Sequence, residues 1–248
     1  MTARTGLIGV IGGMGPLATV DFYRSVVAAS GAARDQDHLP LLIWADPRIP
    51  DRSDAIVGGG PTPVPMLRVA AETLVAAGAE RLVVACNTAH VFLDEALAGV
   101  PVPLLSLIEE TADAAGRLAA AGERIAILCT DGTLASAVYQ DALELRGVVA
   151  VEPTPAEQRA VMRGIRGAKA GALGDAAAAL APVVASLRRR GVTVVLAACT
   201  ELPGVLAAVA GQVRVLDPMA VAAEALVRDH AALLHGEPGA GAGVVAKK

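Results

Sequence analysis

Two stretches of the sequence share one pattern, in which a valine-rich apolar run ends at a cysteine and small polar residues follow. The first stretch, residues 81–90, contains Cys86, and the second, residues 192–203, contains Cys199. Each is typical of a buried parallel strand that leads into a helix. Because open α/β sheets bind ligands at the carboxyl ends of their strands, the pattern predicts an α/β fold in which both thiols border a ligand site.

The same α/β pattern starts again in the middle of the chain. A strand and glycine-rich turn at residues 7–16 are matched by a strand and polar turn at residues 124–133. Each half therefore supplies a first strand with a polar turn and, later, a strand that ends in cysteine. The two cysteines are separated by about 110 residues, the length of a small α/β domain. The sequence thus predicts an internal duplication.

Composition argues against several classes of protein. Of the 248 residues, 54% are hydrophobic but only 2% are aromatic, so the core must consist of Ala, Val, Leu and Ile. No apolar run approaches the roughly 20 residues of a membrane-spanning helix. The net charge of −4 is spread along the chain, without the basic stripe of nucleic-acid-binding proteins. Three widely spaced cysteines and no signal-peptide pattern favour reduced thiols in a cytoplasmic protein, and no cluster predicts a metal site.

The glycine-rich turn at residues 12–16 has two interpretations. Its glycines could let the backbone approach a bound anion at the start of a helix, or the segment could be a tight turn without a ligand. The order of its glycines is not GxGxxG, which disfavours a nicotinamide site.

Two basic residues lie on segments that predict loops. Arg52 belongs to a long Pro- and Gly-rich segment, residues 46–65, where it could clamp a carboxylate or simply be solvated. Residues 164–171 predict a flexible loop that carries Lys169, and a solvated surface lysine is the default expectation there.

Other local patterns give further expectations. The spacing predicts helices over residues 65–77, 154–166 and 175–190, and Pro182 should kink or restart the third. Cys129 is expected within a strand end rather than at a strand-to-helix step, as a small core hydrophobe. The Gly- and Ala-rich tail, residues 236–248, is predicted to be disordered.

The sequence resembles the cofactor-independent aspartate/glutamate racemases, and within them the aspartate racemase branch. The resemblance covers nearly the whole chain. Its motifs, in order, are Gly12–Pro16 with Ala18 and Thr19, Arg34–Pro40, Ile49–Arg52, Cys86–His90 and Cys199–Leu202. The glutamate racemase branch typically has histidine after its second Cys-Thr pair, whereas this chain has Glu201, which favours the aspartate branch.

The resemblance implies a fold, an assembly and a substrate. It implies two pseudo-symmetric α/β domains with parallel central sheets and the active site in the cleft between them, in a homodimer that needs no cofactor and acts on a small acidic amino acid. We expect the first domain to span residues 1–102 plus 212–248 and the second to span residues 103–211.

The resemblance also implies roles for individual residues. Cys86 and Cys199 would be the two catalytic bases, and Arg52 and Lys169 would hold an acidic substrate. The remaining substrate-binding residues would be Met14, Asn87, Thr88, Thr130, Thr200 and Glu201.

Two thiols suit racemisation because a proton must leave one face of Cα and return to the other. The two sulfurs should then lie on the order of 7 Å apart, with the substrate between them. One would start as thiolate and the other as thiol, and they would exchange roles with the hand of the substrate. Pyridoxal phosphate is not required, since no lysine sits in the context of a phosphate cup.

Three alternatives remain open at the level of sequence. The cysteines could be buried structural thiols at strand ends. The chain could be another two-cysteine isomerase or a decarboxylase that acts on a different small acid or cyclic amide, which would not need Arg52 and Lys169 together. It could also be a hinged, non-enzymatic binder of a small anion. The choice among aspartate, glutamate and a modified acid is likewise open.

Overall fold

Two parallel sheets form the centre of the molecule in the computed structural model, which describes residues 6–120, 122–211 and 213–234. The first sheet has the order β2-β1-β3-β4 and the second the order β5-β6-β7. The strands are β1 (Ile8–Gly12), β2 (Leu41–Ala45), β3 (Arg81–Val84), β4 (Leu104–Leu105), β5 (Ile125–Cys129), β6 (Val194–Ala198) and β7 (Arg214–Leu216).

The helices cover these sheets and connect their strands. They are α1 (Pro16–Ser30), α2 (Val64–Ala76), α3 (Leu93–Ala96), α4 (Leu107–Ala120), α5 (Asp131–Ala135), α6 (Val138–Glu144), α7 (Pro155–Lys169), α8 (Leu173–Arg189), α9 (Leu202–Val209) and α10 (Pro218–Leu234). Short 3₁₀ turns occur at Asp35–Asp37 and Thr88–Phe92, and a π turn at Asp54–Gly58. Within the described residues, no helix combines the length and apolarity needed to cross a membrane.

The pairing of the strands explains why the sequence pattern occurs twice. In each half a first strand pairs in parallel with the strand that precedes a cysteine: β1 with β3, and β5 with β6. All residues of these four strands are buried, which matches their apolar sequence at every position except Arg81. The predicted two-domain α/β fold with parallel sheets is confirmed.

The strand pairing differs from the expected domain boundaries at both crossings. β4 lies beyond residue 102 but pairs with β3, and so belongs to the first sheet. β7 lies beyond residue 211 but pairs with β6, and so belongs to the second. Only then does α10 return to the first half, where its apolar residues share a core with Ile8, Val10 and Phe22. A buried ion pair of 2.6 Å between Arg81 and Asp229 fixes α10 to β3.

The structure lacks most of the loop expected at residues 164–171, and it lacks the helix restart that was one of the two effects expected at Pro182. Residues 164–169 are not a loop, because α7 continues to Lys169 and the backbone takes a left-handed conformation only at Gly171. Gly164 serves close helix packing instead: a Cβ there would lie 2.8 Å from Cγ of Leu180 on α8. Helix α8 also does not restart at Pro182, which lies inside one continuous helix. The predicted disorder of residues 236–248 lies outside the described residues.

Candidate active site

One cavity between the two halves of the molecule is lined by all ten residues that the family resemblance implies. The space between its side chains amounts to about 290 Å³, part of which opens to solvent. Asp51 and Ser53 also line it, and neither was singled out from the sequence. The lining residues are Met14, Asp51, Arg52, Ser53, Cys86, Asn87, Thr88, Thr130, Lys169, Cys199, Thr200 and Glu201.

Cys86 follows β3 and is held by the turn that comes after it. Nδ1 of His90 lies 2.9 Å from the carbonyl oxygen of Cys86, and Nε2 accepts a hydrogen bond of 3.1 Å from the backbone N–H of Leu107. Because Nε2 is an acceptor there, the proton of the neutral ring belongs on Nδ1, which donates to Cys86. Burial lowers the pKa of His90 to about 4, although backbone contacts with Cys86 and Asn87 act in the opposite direction. His90 thus ties the loop of Cys86 to the start of α4.

Cys199 follows β6 directly, and a carboxylate is within hydrogen-bonding distance of its thiol. Sγ of Cys199 donates to Oε2 of Glu201 at 3.0 Å, and the hydroxyl of Thr200 donates to the same oxygen, also at 3.0 Å. Burial raises the pKa of the Cys199 thiol well above its ordinary value, and the charge of Glu201 and this hydrogen bond raise it further. The positive charge of Lys169 acts in the opposite direction.

Asn87 is oriented by a tyrosine from the other half of the chain. The hydroxyl of Tyr139 donates to Oδ1 of Asn87 at 2.5 Å, and both side chains are buried. Nδ2 of Asn87 has no hydrogen-bond partner among the described residues. Since buried polar groups are nearly always satisfied, this N–H group in the cavity wall indicates a ligand that accepts a hydrogen bond.

Three threonine hydroxyls, two of them on residues that line the cavity, join the two halves. Thr88 lies 3.2 Å from Thr130 and 2.8 Å from Thr133, and Thr130 lies 3.0 Å from Thr133. Thr130 also caps the amino terminus of α5 by accepting from the backbone N–H of Thr133. Because a hydroxyl can both donate and accept, this cluster can redirect a donor toward a bound carboxylate.

Arg52 is buried, so the interpretation that it is simply solvated is wrong. Its Nη1 donates to the carbonyl oxygens of Ile49 and Pro50, and its Nη2 donates to that of Met14. Its Nε has no partner among the described residues. The residue is only 8% exposed and lines the cavity, and this one buried donor is left without a partner.

Lys169 reaches the cavity from the last turn of α7 and is otherwise exposed. A second, wider opening continues along the start of α1 and shares five residues with the cavity: Met14, Asp51, Arg52, Lys169 and Glu201. Neither Cys86 nor Cys199 lines this second opening, which adjoins the cavity through the shared residues.

Cys129 differs from the other two cysteines. It is the last residue of β5, and α5 begins two positions later, so the expectation that it avoids a strand-to-helix step is wrong. Its side chain is buried among Ile108, Tyr139 and Val194, and burial raises its pKa. Cys129 does not line the cavity, as expected for a small core hydrophobe.

Fold and cavity together define a class of protein: a two-domain α/β protein whose interdomain cleft holds one thiol from each half. A family model described as Asp/Glu/Hydantoin racemase matches residues 11–226. The chain belongs to this family of racemases.

Individual relatives agree with this assignment. The chain is 26% identical over 230 residues to a broad specificity amino-acid racemase of Bacillus subtilis (strain 168), and the match covers 91% of this chain and 99% of the relative. The structure of Picrophilus torridus aspartate racemase is 30% identical, with a TM-score of 0.82 over 91% of this chain and 94% of that one. An aspartate racemase homologue of Pyrococcus horikoshii OT3 is 25% identical, with a TM-score of 0.72 over 91% and 99% of the two chains.

Within the described residues, no group of three or more His, Cys, Asp or Glu side chains is arranged to hold a metal ion.

Proposed function

We propose that this racemase interconverts the L and D forms of an acidic amino acid, aspartate or glutamate, by a two-base mechanism that uses Cys86 and Cys199 and no pyridoxal phosphate. One observation carries the proposal: two buried thiols, each at the end of a central strand of one duplicated half, line the same cavity. Thiols in this arrangement can act on opposite faces of one small molecule.

In the proposed reaction one sulfur starts as thiolate and takes the proton from Cα of the substrate. The other sulfur, still protonated, delivers its proton to the opposite face of the resulting carbanion. The negative charge that develops on the α-carboxylate needs hydrogen-bond donors already in place. The unpartnered Nδ2 of Asn87 and the hydroxyls of Thr88, Thr130 and Thr200 are suited to this task.

The charges of the cavity favour a substrate with a second carboxylate. Nε of Arg52 is a buried donor without a partner among the described residues, and Lys169 adds a second positive charge to the same wall. A buried cation gains most from a bound anion, since it is poorly solvated otherwise. Asp51 is the carboxylate that we assign to the ammonium group of the substrate, and Met14 is an apolar part of the same lining.

Exchange of the Cα proton with deuterium in heavy water tests this function directly. We expect aspartate or glutamate to incorporate deuterium at Cα and to lose optical activity without an added cofactor. Because each base serves one face, Cys86→Ser and Cys199→Ser should each lower the rate of racemisation by at least about 1,000-fold. The measurements are proton NMR of the Cα signal and chiral chromatography.

Cys129→Ala is the matched control, because its thiol lies outside the cavity; it should racemise at nearly the normal rate. Full racemisation by either Cys→Ser variant would contradict the two-base mechanism. Exchange with neutral amino acids but not with aspartate or glutamate would contradict the proposed substrate class alone.

We also infer a cytoplasmic protein that acts as a homodimer. Three free cysteines suit a reducing compartment. The homodimer follows from the resemblance to the aspartate racemase branch, and sedimentation equilibrium measures it.

A further inference from the structure

The two thiols of the cavity differ in their surroundings. Sγ of Cys199 donates to Oε2 of Glu201 at 3.0 Å. An ionised carboxylate can only accept hydrogen bonds, so this contact exists only while Cys199 keeps its proton. The sulfur of Cys86 makes no hydrogen bond within the described part of the chain.

Glu201 accepts a second hydrogen bond and also lies beside the start of α1. The hydroxyl of Thr200 donates to Oε2, the same oxygen that accepts from the thiol. The other oxygen, Oε1, lies near Gly15, the residue that precedes the first turn of α1. A Cβ built on Gly15 would be 3.5 Å from this oxygen. The positive end of a helix stabilises a negative charge at this point. The carboxylate is therefore held as an acceptor beside Cys199.

The other charged groups of the cavity do not remove this difference. Asp51, Arg52 and Lys169 line the same wall and contribute one negative and two positive charges. Of these, Lys169 lowers the pKa of Cys199, but its effect is smaller than those of burial and of Glu201, which raise it. A thiolate at Cys199 would stand directly against the Glu201 carboxylate.

We propose that Glu201 is a positioning residue that keeps the proton on Cys199 in the resting protein, so that Cys86 is the resting thiolate. The role is distinct from substrate binding and rests on the proposed two-thiol function. It assigns one defined protonation state to the resting protein instead of a mixture of two.

This protonation state defines the order of proton transfers that start from the resting protein. The Cys86 thiolate takes the Cα proton and becomes a thiol, and the Cys199 thiol gives its proton to the opposite face and becomes a thiolate. After product leaves, Cys86 loses its proton to water and Cys199 regains one from water. Glu201 favours this return, because it repels the Cys199 thiolate.

The ratio of kcat/KM in the two directions does not reveal this difference between the thiols. Two enantiomers have equal free energy in water, so the equilibrium constant is one and kcat/KM must be the same in both directions. A change at Glu201 cannot alter that ratio. It can alter kcat and KM together in one direction, and it can alter the reactivity of each thiol.

The direct test is alkylation of the two thiols by iodoacetamide in the Cys129→Ala protein, with the rate at each cysteine measured by mass spectrometry between pH 6 and 9. Only thiolates react, so Cys86 should react faster than Cys199. Glu201→Gln removes a charge-assisted hydrogen bond. At neutral pH it should speed alkylation of Cys199 about tenfold or more while changing Cys86 little.

Asp51→Asn is the matched control, because it neutralises a cavity carboxylate that bonds neither sulfur; it should change the Cys199 rate much less. The alkaline limb of the pH profile of kcat/KM should also move to lower pH in Glu201→Gln, since Cys199 then loses its proton earlier. Comparison of Cys86 with Cys199 in the Cys129→Ala protein needs no substitution at Glu201, so it holds even if Glu201→Gln fails to fold.

Faster alkylation of Cys199 than of Cys86 would overturn the inference, as would equal effects of Glu201→Gln and Asp51→Asn on Cys199. Neither result would touch the proposed racemisation, which depends on deuterium exchange and the Cys→Ser variants. Conversely, absence of any exchange at Cα would refute the proposed function whatever the alkylation rates.

Discussion

His90 lies outside the cavity lining and holds the turn that carries Cys86, and its burial affects how stability depends on pH. Its pKa is about 4 in the folded protein, against about 6.5 in an unfolded chain. Between these pH values the unfolded chain binds more protons, so stability falls as the pH falls. The contribution is complete above about pH 6.5 and is lost as the pH falls toward 4, with a size on the order of 3 kcal/mol.

We therefore expect His90→Gln to flatten the dependence of unfolding free energy on pH in this range, as measured by urea denaturation at several pH values between 7 and 4.5. The slope, rather than the absolute stability, is the informative quantity, because the substitution also changes two backbone hydrogen bonds. An unchanged slope in His90→Gln would show that other groups cause the loss of stability in acid.

At the scale of helices, Gly164 of α7 makes the packing against α8 possible. A Cβ at this position would lie 2.8 Å from Cγ of Leu180, whereas a Cβ at Gly167 on the same helix would reach only ordinary contact at 3.4 Å from Ala176. We expect Gly164→Ala to destabilise the protein by about 1 to 3 kcal/mol through overpacking. Gly167→Ala should be neutral or stabilising by up to about 1 kcal/mol, because alanine favours the helix. Thermal unfolding of both variants measures the difference.

Gly164 also shows why local patterns misplaced Lys169. Glycines at 164, 167 and 171 predict a loop when only neighbours in sequence are considered. The structure shows that the first two lie in a helix, where Gly164 allows Leu180 to approach, and that only Gly171 takes a left-handed conformation. Lys169 consequently reaches the cavity from the end of a helix. The close approach of a residue on another helix leaves no signal in the local sequence.

At the scale of the whole molecule, the sequence predicted those residues of the cavity that short sequence patterns mark. Strand ends placed Cys86 and Cys199, and the family motifs added Arg52, Asn87 and Glu201. Tyr139 was missed because its contact with Asn87 joins residues that are 52 positions apart in the chain. Asp51 lies within the motif Ile49–Arg52 but was given no role, and Ser53 was missed because a polar loop residue gives no sign of the cavity that it borders. Long-range contacts therefore account for the part that the sequence did not reveal.

A long-range contact between Gly132 and Ser53 brings the two halves close together at the cleft. At Gly132, near the start of α5, a Cβ would lie 2.6 Å from Cα of Ser53 and 2.9 Å from its Cβ. A shift of either backbone segment would cost free energy. Gly132→Ala should therefore push Ser53 and the adjacent Arg52 away from the second half. Since displacement by about 1 Å can cost a factor of roughly 100 in rate, we expect kcat/KM for racemisation to fall by about that factor.

Gly204→Ala on α9 is the control for this prediction, because nothing lies within 4 Å of a Cβ there. Both variants should keep the circular dichroism spectrum of the unmodified protein, while only Gly132→Ala loses activity. A fully active Gly132→Ala would mean that the loop of Arg52 can shift without affecting the substrate. In that case the buried charge of Arg52, and not the close approach of the two halves, would be what the reaction requires.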